Sequence, residues 1–582
     1  MRFSLGLGLL LWIRIAVAAT PLLEVTVEGI EDPLLKNVLA FMTIYQHRDD
    51  AKINVQWLTK ANQKADSEIK LALQPFGYYR PIIKYSLRQE NGLWVAHYRI
   101  DPGVAIRISK SNITLTGSGR NQKVLQAAVQ AIPLKSGDVL DQTVYRKSKK
   151  GLMTLTSEQG YFDAKFTIHK IMVDLDRYMA TVSLQMDTGS RFHFGEIKFS
   201  DTALDKTYLR KYLTIKSGDF YSTENLHSLR RALMETGYFK HVTVNPQFEK
   251  KQNGAVPVRV ELAMRSAYQL KLGAGYATDS GVRGRIQLLN RYVNQWGHKF
   301  DVNARVSQLR QTLDAKYTIP LDEPRIRNFN LTSSLSQQDI PVGLTRTARF
   351  GGNRTGIRWG LREVLALDFQ YENFFVEQDI RDSYLTIPSI SWSSVQVELA
   401  KRADSAHLFH RGFRFNINLR GAVEYLLSDS SFVQLRVGGA WAQEIWESAR
   451  LITRAEVGWT AASDFDNLPT TLRYFAGGDQ SVRGYDYHSL GPKDREGHLL
   501  GGRHLGVASM EYEQMVYGPW GFAVFYDMGN AFNDFNLSEF KHGTGLGLRW
   551  KSPVGLVKAD VAMALSDSHH QIRFHIVMGT GL

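Results

Sequence analysis

The chain has no cysteine among its 582 residues. That excludes a disulfide framework and every thiolate metal site, and it is compatible with an oxidising envelope compartment. Beyond the first nineteen residues it also lacks any continuous apolar run of roughly eighteen residues, so a membrane span would have to be built from strands. Signatures of catalysis are missing: there is no Gly-x-Ser-x-Gly elbow, no His-Glu-x-x-His pair and no phosphate-binding glycine loop. Neither an enzyme nor a cofactor is therefore expected. Of the 16 histidines, the adjacent His569 and His570 read as part of a turn rather than a metal site. Acidic residues are outnumbered, 57 Asp+Glu against 71 Lys+Arg, for a net charge of +14. Such a surplus suits nucleic acid or an anionic membrane surface.

The N-terminus favours the membrane. Arg2 is followed by an apolar run from Phe3 to Ile13, and Ala16-Val-Ala18-Ala19 fits an A-x-A cleavage site. Residues 1–19 are expected to be a signal peptide, with Arg14 a late interruption. A chain exported this way has no access to nucleic acid, so none is expected as a partner. The length is too great for one ordinary domain, and 43% apolar content supplies folded cores.

From Pro21 to about Arg265 a unit recurs about every eighty residues. Its landmark is a triplet after a helix: Gly77-Tyr78-Tyr79, Gly160-Tyr161-Phe162 and Gly237-Tyr238-Phe239. Copies two and three share a turn, Leu134-Lys-Ser-Gly-Asp138 and Ile215-Lys-Ser-Gly-Asp219, leading into helices with expected caps Asp141 and Ser222. Leu58, Ala61, Ala65, Ile69 and Ala72 keep helical spacing, as do Leu226, Leu229 and Leu233. After the triplet the period falls to two, with Val258, Val260, Leu262 and Met264 alternating against Arg259 and Glu261. A strand-helix-helix-strand-strand module results. The basic run Arg146-Lys-Ser-Lys-Lys150 reads as a solvated helix face.

From about Ala267 the pattern becomes short alternating strands with polar, glycine-rich turns. Leu270, Leu272, Ala274 and Tyr276 form one apolar row; Phe300, Val302, Ala304 and Val306 form another, against Asp301, Asn303 and Arg305. Leu365, Leu367, Phe369 and Tyr371 repeat it, as do Phe413, Phe415, Ile417 and Leu419. Charges opposite each row fit a polar lumen behind a lipid-facing surface, and the span to residue 582 holds about sixteen such strands. Tyr292, Trp296, Tyr317, Trp359, Trp441, Trp520 and Trp550 are placed at strand ends, as interfacial girdles require.

Gly477-Gly-Asp-Gln-Ser-Val-Arg-Gly-Tyr485 sets a lone cation, Arg483, on a long loop. On the strand that follows, Phe525, Asp527 and Gly529 share one face, and Phe522, Val524, Tyr526 and Met528 the other. A carboxylate beside a glycine is what a lumen wall needs if an arginine-bearing loop is to fold against it. Together, Val482-Arg-Gly-Tyr485 and Phe525-x-Asp-x-Gly529 resemble the signatures of the Omp85 superfamily.

That resemblance implies a transmembrane β-barrel of sixteen strands in the outer membrane of a Gram-negative bacterium, over residues 266–582. The repeats are similar to POTRA domains, implying POTRA 1 over 20–103, POTRA 2 over 104–189 and POTRA 3 over 190–265, facing the periplasm. The fold class is thus α+β followed by all-β. POTRA domains imply capture of client polypeptides by strand addition to a sheet edge. Three copies, with Tyr276-Ala-Thr-Asp-Ser-Gly281, Phe475-Ala-Gly-Gly-Asp479, Gly543-Thr-Gly-Leu-Gly-Leu-Arg-Trp550 and Ser552-Pro-Val-Gly555, resemble the TamA family, outer-membrane subunits of the translocation and assembly module. This implies an inner-membrane-anchored partner, TamB, client outer-membrane proteins including autotransporters, and contact with outer-membrane lipid. The alternative is a pore of the two-partner-secretion type, against which the third module counts. The last strand, Ile572 to Leu582, is similar to the C-terminal assembly signal of outer-membrane barrels, departing from it in ending on leucine. It is expected to close the barrel against residues 268–277, with Gly579 and Gly581 facing Gly273 and Gly275 across a weakly packed seam that opens sideways.

Overall fold

A computed structural model describes residues 23–50, 53–376, 379–399, 409–553, 555–567 and 570–578. The expected signal peptide, Gly579, Gly581, Leu582 and His569 lie outside the described residues. The chain divides into two compact units: Met1–Lys198 with Ile215–His227 and Pro246–Val258, and Phe199–Thr214 with Ser228–Asn245 and Arg259–Leu582.

Three small mixed sheets carry the repeat. The first module comprises β1 (Leu23–Glu28), α1 (Leu34–Phe41), α2 (Thr43–Gln46), α3 (Val55–Leu73), β2 (Ile82–Glu90) and β3 (Leu93–Asp101). The second comprises β4 (Arg107–Thr116), α4 (Lys123–Gln130), α5 (Gln142–Glu158), β5 (Lys165–Asp174) and β6 (Met179–Asp187). The third comprises β7 (His193–Phe199), α6 (Lys206–Arg210), α7 (Thr223–Glu235), β8 (Phe239–Pro246) and β9 (Ala255–Met264). In each sheet the last strand lies in the middle: β1-β3-β2, β4-β6-β5 and β7-β9-β8. The first module has three helices where two are expected, because the chain turns extended at Met42 and restarts as α2.

The helical stripe of α3 is the first core. Leu58, Ala65, Ile69 and Ala72 pack under Ala96, Tyr98 and Ile100 of β3. Two buried polar groups are satisfied there. The Tyr98 hydroxyl donates to Asn62 at 2.6 Å, and Glu68 accepts from the Thr43 amide at 2.8 Å, anchoring the start of α2. In the second module Asp141 accepts from the amides of Thr143 at 2.7 Å and Val144 at 3.2 Å, capping α5. Asp141→Ala is expected to destabilise the module by about 1 kcal/mol, read as a lower urea midpoint in the helical circular-dichroism signal of the whole chain. Arg146, Lys147 and Lys150 are exposed along α5.

The second unit is dominated by a closed barrel of sixteen strands in sequence order. Four open it: β10 (Tyr268–Ala277), β11 (Gly281–Asn290), β12 (Lys299–Val306) and β13 (Arg310–Pro320). Next come β14 (Asn328–Ile340), β15 (Gly343–Arg358), β16 (Leu361–Val376), β17 (Asp379–Leu399), β18 (Phe409–Ala422) and β19 (Phe432–Trp446). The last six are β20 (Ala449–Ala462), β21 (His504–Tyr517), β22 (Trp520–Phe532), β23 (Lys541–Ser552), β24 (Gly555–Ala564) and β25 (Ile572–Met578). Outward rows such as Leu270 and Leu272, or Leu365, Leu367 and Phe369, are exposed, as a lipid-facing surface needs. Trp520 opens β22 and stacks on Trp550 with ring centroids 5.2 Å apart, and Trp359 sits in the turn between β15 and β16. Trp441 is a correction: it lies in the body of β19, because that strand continues five residues past it.

Within the same unit, tyrosines of the third module reach the first inner turn of the barrel. The Tyr208 hydroxyl meets those of Tyr212 at 2.7 Å and Tyr238 at 2.9 Å, and Tyr238 donates to the Gly297 carbonyl at 2.6 Å. Burial pushes all three phenols above their ordinary value, so each keeps a proton to donate. Lys299 at the start of β12 donates to the Thr236 carbonyl at 2.7 Å.

Candidate functional site

Residues 463–503, between β20 and β21, do not extend away from the barrel but fill its interior. Val482 is fully buried among Tyr474, Ala476, Leu490, Leu505 and Ala531. The loop holds itself by main-chain bridges Tyr474 to Gly502, Ala476 to Leu490 and Lys493 to Leu499. One shoulder is tied to the far wall. Thr471 donates its amide to Glu372 of β16 at 3.1 Å, and the hydroxyls of Thr470 and Thr345 of β15 meet at 2.9 Å.

The tip lies on β21 to β24. Arg483 donates through Nε to Asp527 Oδ2 at 2.7 Å and through Nη2 to Oδ1 at 3.0 Å, a bidentate fork reinforced by its own amide at 3.1 Å. Its Nη1 reaches Glu511 at 2.9 Å and Asp560 at 3.0 Å, and its guanidinium lies 3.4 Å above the Phe525 ring. Phe525 and Asp527 face inward from β22, while Phe522, Val524 and Tyr526 face outward. A second buried arginine, Arg549 of β23, bonds Glu511 at 2.8 Å and Glu513 at 2.9 Å, and also Asp560. Lys558 and Arg450 complete the ring of charge. With water excluded, such a network holds only while every member is paired.

Two glycines make the approach possible. Gly484 has φ +95°, and a Cβ there would sit 3.0 Å from the Ala564 amide nitrogen of β24. A Cβ on Gly543 of β23 would meet the Arg483 carbonyl oxygen at 2.0 Å, so the loop backbone occupies that side chain's place. Tyr485, the last residue of the tip, reaches the His542 carbonyl at 3.4 Å. Gly529 faces inward on β22.

The sequence reading paired Arg483 with Asp527 alone and missed Glu511, Arg549 and Asp560. The available signal was alternation: Ser509, Glu511 and Glu513 share the inward face of β21. It also missed a trio formed by Asp279 in the β10–β11 turn, Asp479 of the loop and His575 of β25, whose ligand atoms lie within 4.8 Å of one another. Those donor types suit a divalent cation, but the imidazole is fully used: Nε2 accepts from the Gly484 amide at 3.0 Å and Nδ1 bonds Asp479. The trio is a chain of hydrogen bonds.

The seam is short. Every neighbouring pair in the sequence-ordered barrel shares at least seven register positions, whereas β10 and β25 share two among the described residues, Tyr276 with Met578 and Ala277 with Val577. Gly273 and Gly275 pair with Arg285 and Arg283 on the β11 side, and no pairing of either toward β25 occurs among the described residues.

Family profiles match this architecture segment by segment. The Omp85 superfamily domain covers residues 296–581, the POTRA domain described as TamA domain 1 covers residues 24–102, and a POTRA profile described as a surface antigen variable number repeat covers residues 192–265. The chain belongs to the Omp85 superfamily. As an Omp85 protein it is an outer-membrane barrel with its POTRA domains in the periplasm. It is 25% identical over 397 residues to the outer membrane protein assembly factor BamA of Nitratidesulfovibrio vulgaris, covering 64% of this chain and 49% of that one. To BamA of Neorickettsia risticii it is 22% identical over 488 residues, covering 77% and 63%. The chain thus spans between about half and just under two thirds of the length of these relatives. The crystal structure of BamA from Haemophilus ducreyi lacking POTRA domains 1–3 superposes with a TM-score of 0.67 at 16% identity, covering 81% of this chain and 99% of that one, a likeness of fold.

Proposed function

We propose that this Omp85 chain is the outer-membrane subunit of a TamA-type translocation and assembly module. Client outer-membrane proteins, autotransporters among them, pass through the laterally opened β10–β25 seam into the bilayer, and the POTRA domains receive clients and an inner-membrane-anchored TamB in the periplasm. The observation that carries this reading is the β10–β25 joint, which among the described residues holds two register pairs where every other joint holds seven or more. Backbone groups left unpaired in lipid are costly, so an edge exposed when the seam opens is a template for an incoming strand. The TamA-type profile on the first module and the presence of three modules favour this member of the superfamily.

The test exploits the absence of native cysteine. Cysteines at Ala277 and Val577, facing each other across the seam, are oxidised in outer-membrane preparations. Assembly of an autotransporter client is expected to stop on oxidation and return on reduction. Unimpaired assembly by the locked barrel would overturn lateral passage, and export of one dedicated polypeptide by the locked barrel would favour a two-partner-secretion pore.

A further inference from the structure

We propose that the luminal loop clasps the seam, bonding to the strand or turn on each of its sides. Three kinds of contact carry this. First, the strands themselves meet among the described residues in two register pairs, extended past the end of β10 by the Thr278 amide on the Ile576 carbonyl and the Ile576 amide on the Thr278 hydroxyl, each at 3.1 Å. Second, the loop bonds to both sides of the seam at that same height. On the β10 side, the Asp479 amide donates to Asp279 Oδ2 at 2.6 Å. On the β25 side, the Asp479 carboxylate takes His575 Nδ1, His575 Nε2 accepts from the Gly484 amide at 3.0 Å, and Asp486 pairs with Arg573. One imidazole tautomer, protonated on Nδ1, satisfies both of its contacts at once.

Third, the bridge is buried and anchored. His575 and Asp479 are almost completely inaccessible, so their hydrogen bonds do not compete with water. Asp479 and Gly484 stand on either side of Arg483, whose carboxylate ring fixes the loop to β21–β24. The loop therefore acts as a clasp: its foot is on the wall that includes β24, and its arm reaches across β25 to the turn that follows β10. Asp279 and His575, which belong to the two ends of the barrel sequence, lie 3.9 Å apart, and Asp479 of the loop hydrogen-bonds to both. Releasing the arm leaves the seam to contacts between the strands and the turn after β10 alone. The use of that release in client insertion rests on the lateral-opening reading; the mechanical claim does not.

Pulsed electron–electron resonance on the full chain in lipid vesicles tests the clasp, with spin labels on cysteines replacing Ala274 and Ile576, which face outward on the two seam strands. In His575→Ala and in Asp279→Ala the label separation is expected to broaden and to lengthen by at least one strand spacing, about 4.8 Å. Thr278→Val, which weakens strand pairing but spares the clasp, is expected to keep the parent distribution. Asp279 lies in a turn, so its variant reports on a folded barrel even if His575→Ala fails to assemble; folding is checked by heat-modifiable migration. Parent distances in both clasp variants would overturn the proposal, as would an equal opening by Thr278→Val. A lengthened seam with undiminished client assembly under the oxidised lock of Ala277 and Val577 would support the clasp and sink lateral passage, so the two readings fail separately.

Discussion

Replacing Arg483 by alanine is expected to destabilise the barrel by about 3–5 kcal/mol, the range for removing one partner from a buried ionic network. The cause is the company it keeps. Asp527, Glu511 and Asp560 all bond this one guanidinium, and Asp527 is wholly buried. Without it, Asp527 retains the Ser509 hydroxyl at 2.6 Å but no cation among the ion pairs of the described residues. Arg483→Lys is expected to recover only a minor part, because an ammonium cannot present a planar fork to Asp527 while reaching two further carboxylates. The measurement is the urea midpoint for loss of heat-modifiable migration, together with client assembly. Asp527→Ala should fall in the same range, and the double variant should cost less than the sum, because it removes both halves of one pair. If Arg483→Ala and Asp527→Ala both keep the parent midpoint and assembly, the loop lock has no role.

Gly543→Val is expected to match that loss with every charge still in place. Its Cβ would intrude to 2.0 Å from the Arg483 carbonyl oxygen, which is main chain and cannot rotate away. Either β23 or the loop tip must move. β23 is held by ten register positions on each side, so the loop gives way. Overpacking of this severity costs about 3 kcal/mol or more. Trypsin added to the variant is expected to cut after Arg473 or Arg483, which are buried in the parent, beyond any cleavage that both proteins show at the exposed Lys493 and Arg495. Protection equal to the parent's would show that the tip tolerates the added side chain and that the close approach does not hold it.

The sequence disclosed most of the architecture because its signals are local. The stripe Leu58-Ala65-Ile69-Ala72 and the alternation Val258-Val260 each report one element and the face it buries. The cap at Asp141 was legible for the same reason. Asp527 stood out because its neighbours on the same face are apolar or glycine, so a carboxylate there requires a counter-charge. Glu511, Arg549 and Asp560 were not singled out, since each is one of many charges on an inward face and only the register across β21 to β24 brings them under Arg483. Asp279 and His575 were beyond reach for a stronger reason: nothing near either residue announces the other, and their proximity exists only after sixteen strands have closed. Trp441 is not at a strand end, because β19 runs on through Ala442, Gln443 and Glu444 to Trp446 with no turn residue to stop it.

The phenol chain from Tyr208 through Tyr238 to the Gly297 carbonyl has a mechanical meaning. It welds α6 and the start of β8 to the turn joining β11 and β12, and β11 runs beside β10 along all ten of its residues. A tug on that part of the third module has no slack to take up before it reaches the neighbour of the seam. Module and barrel wall are joined there by hydrogen bonds within one unit.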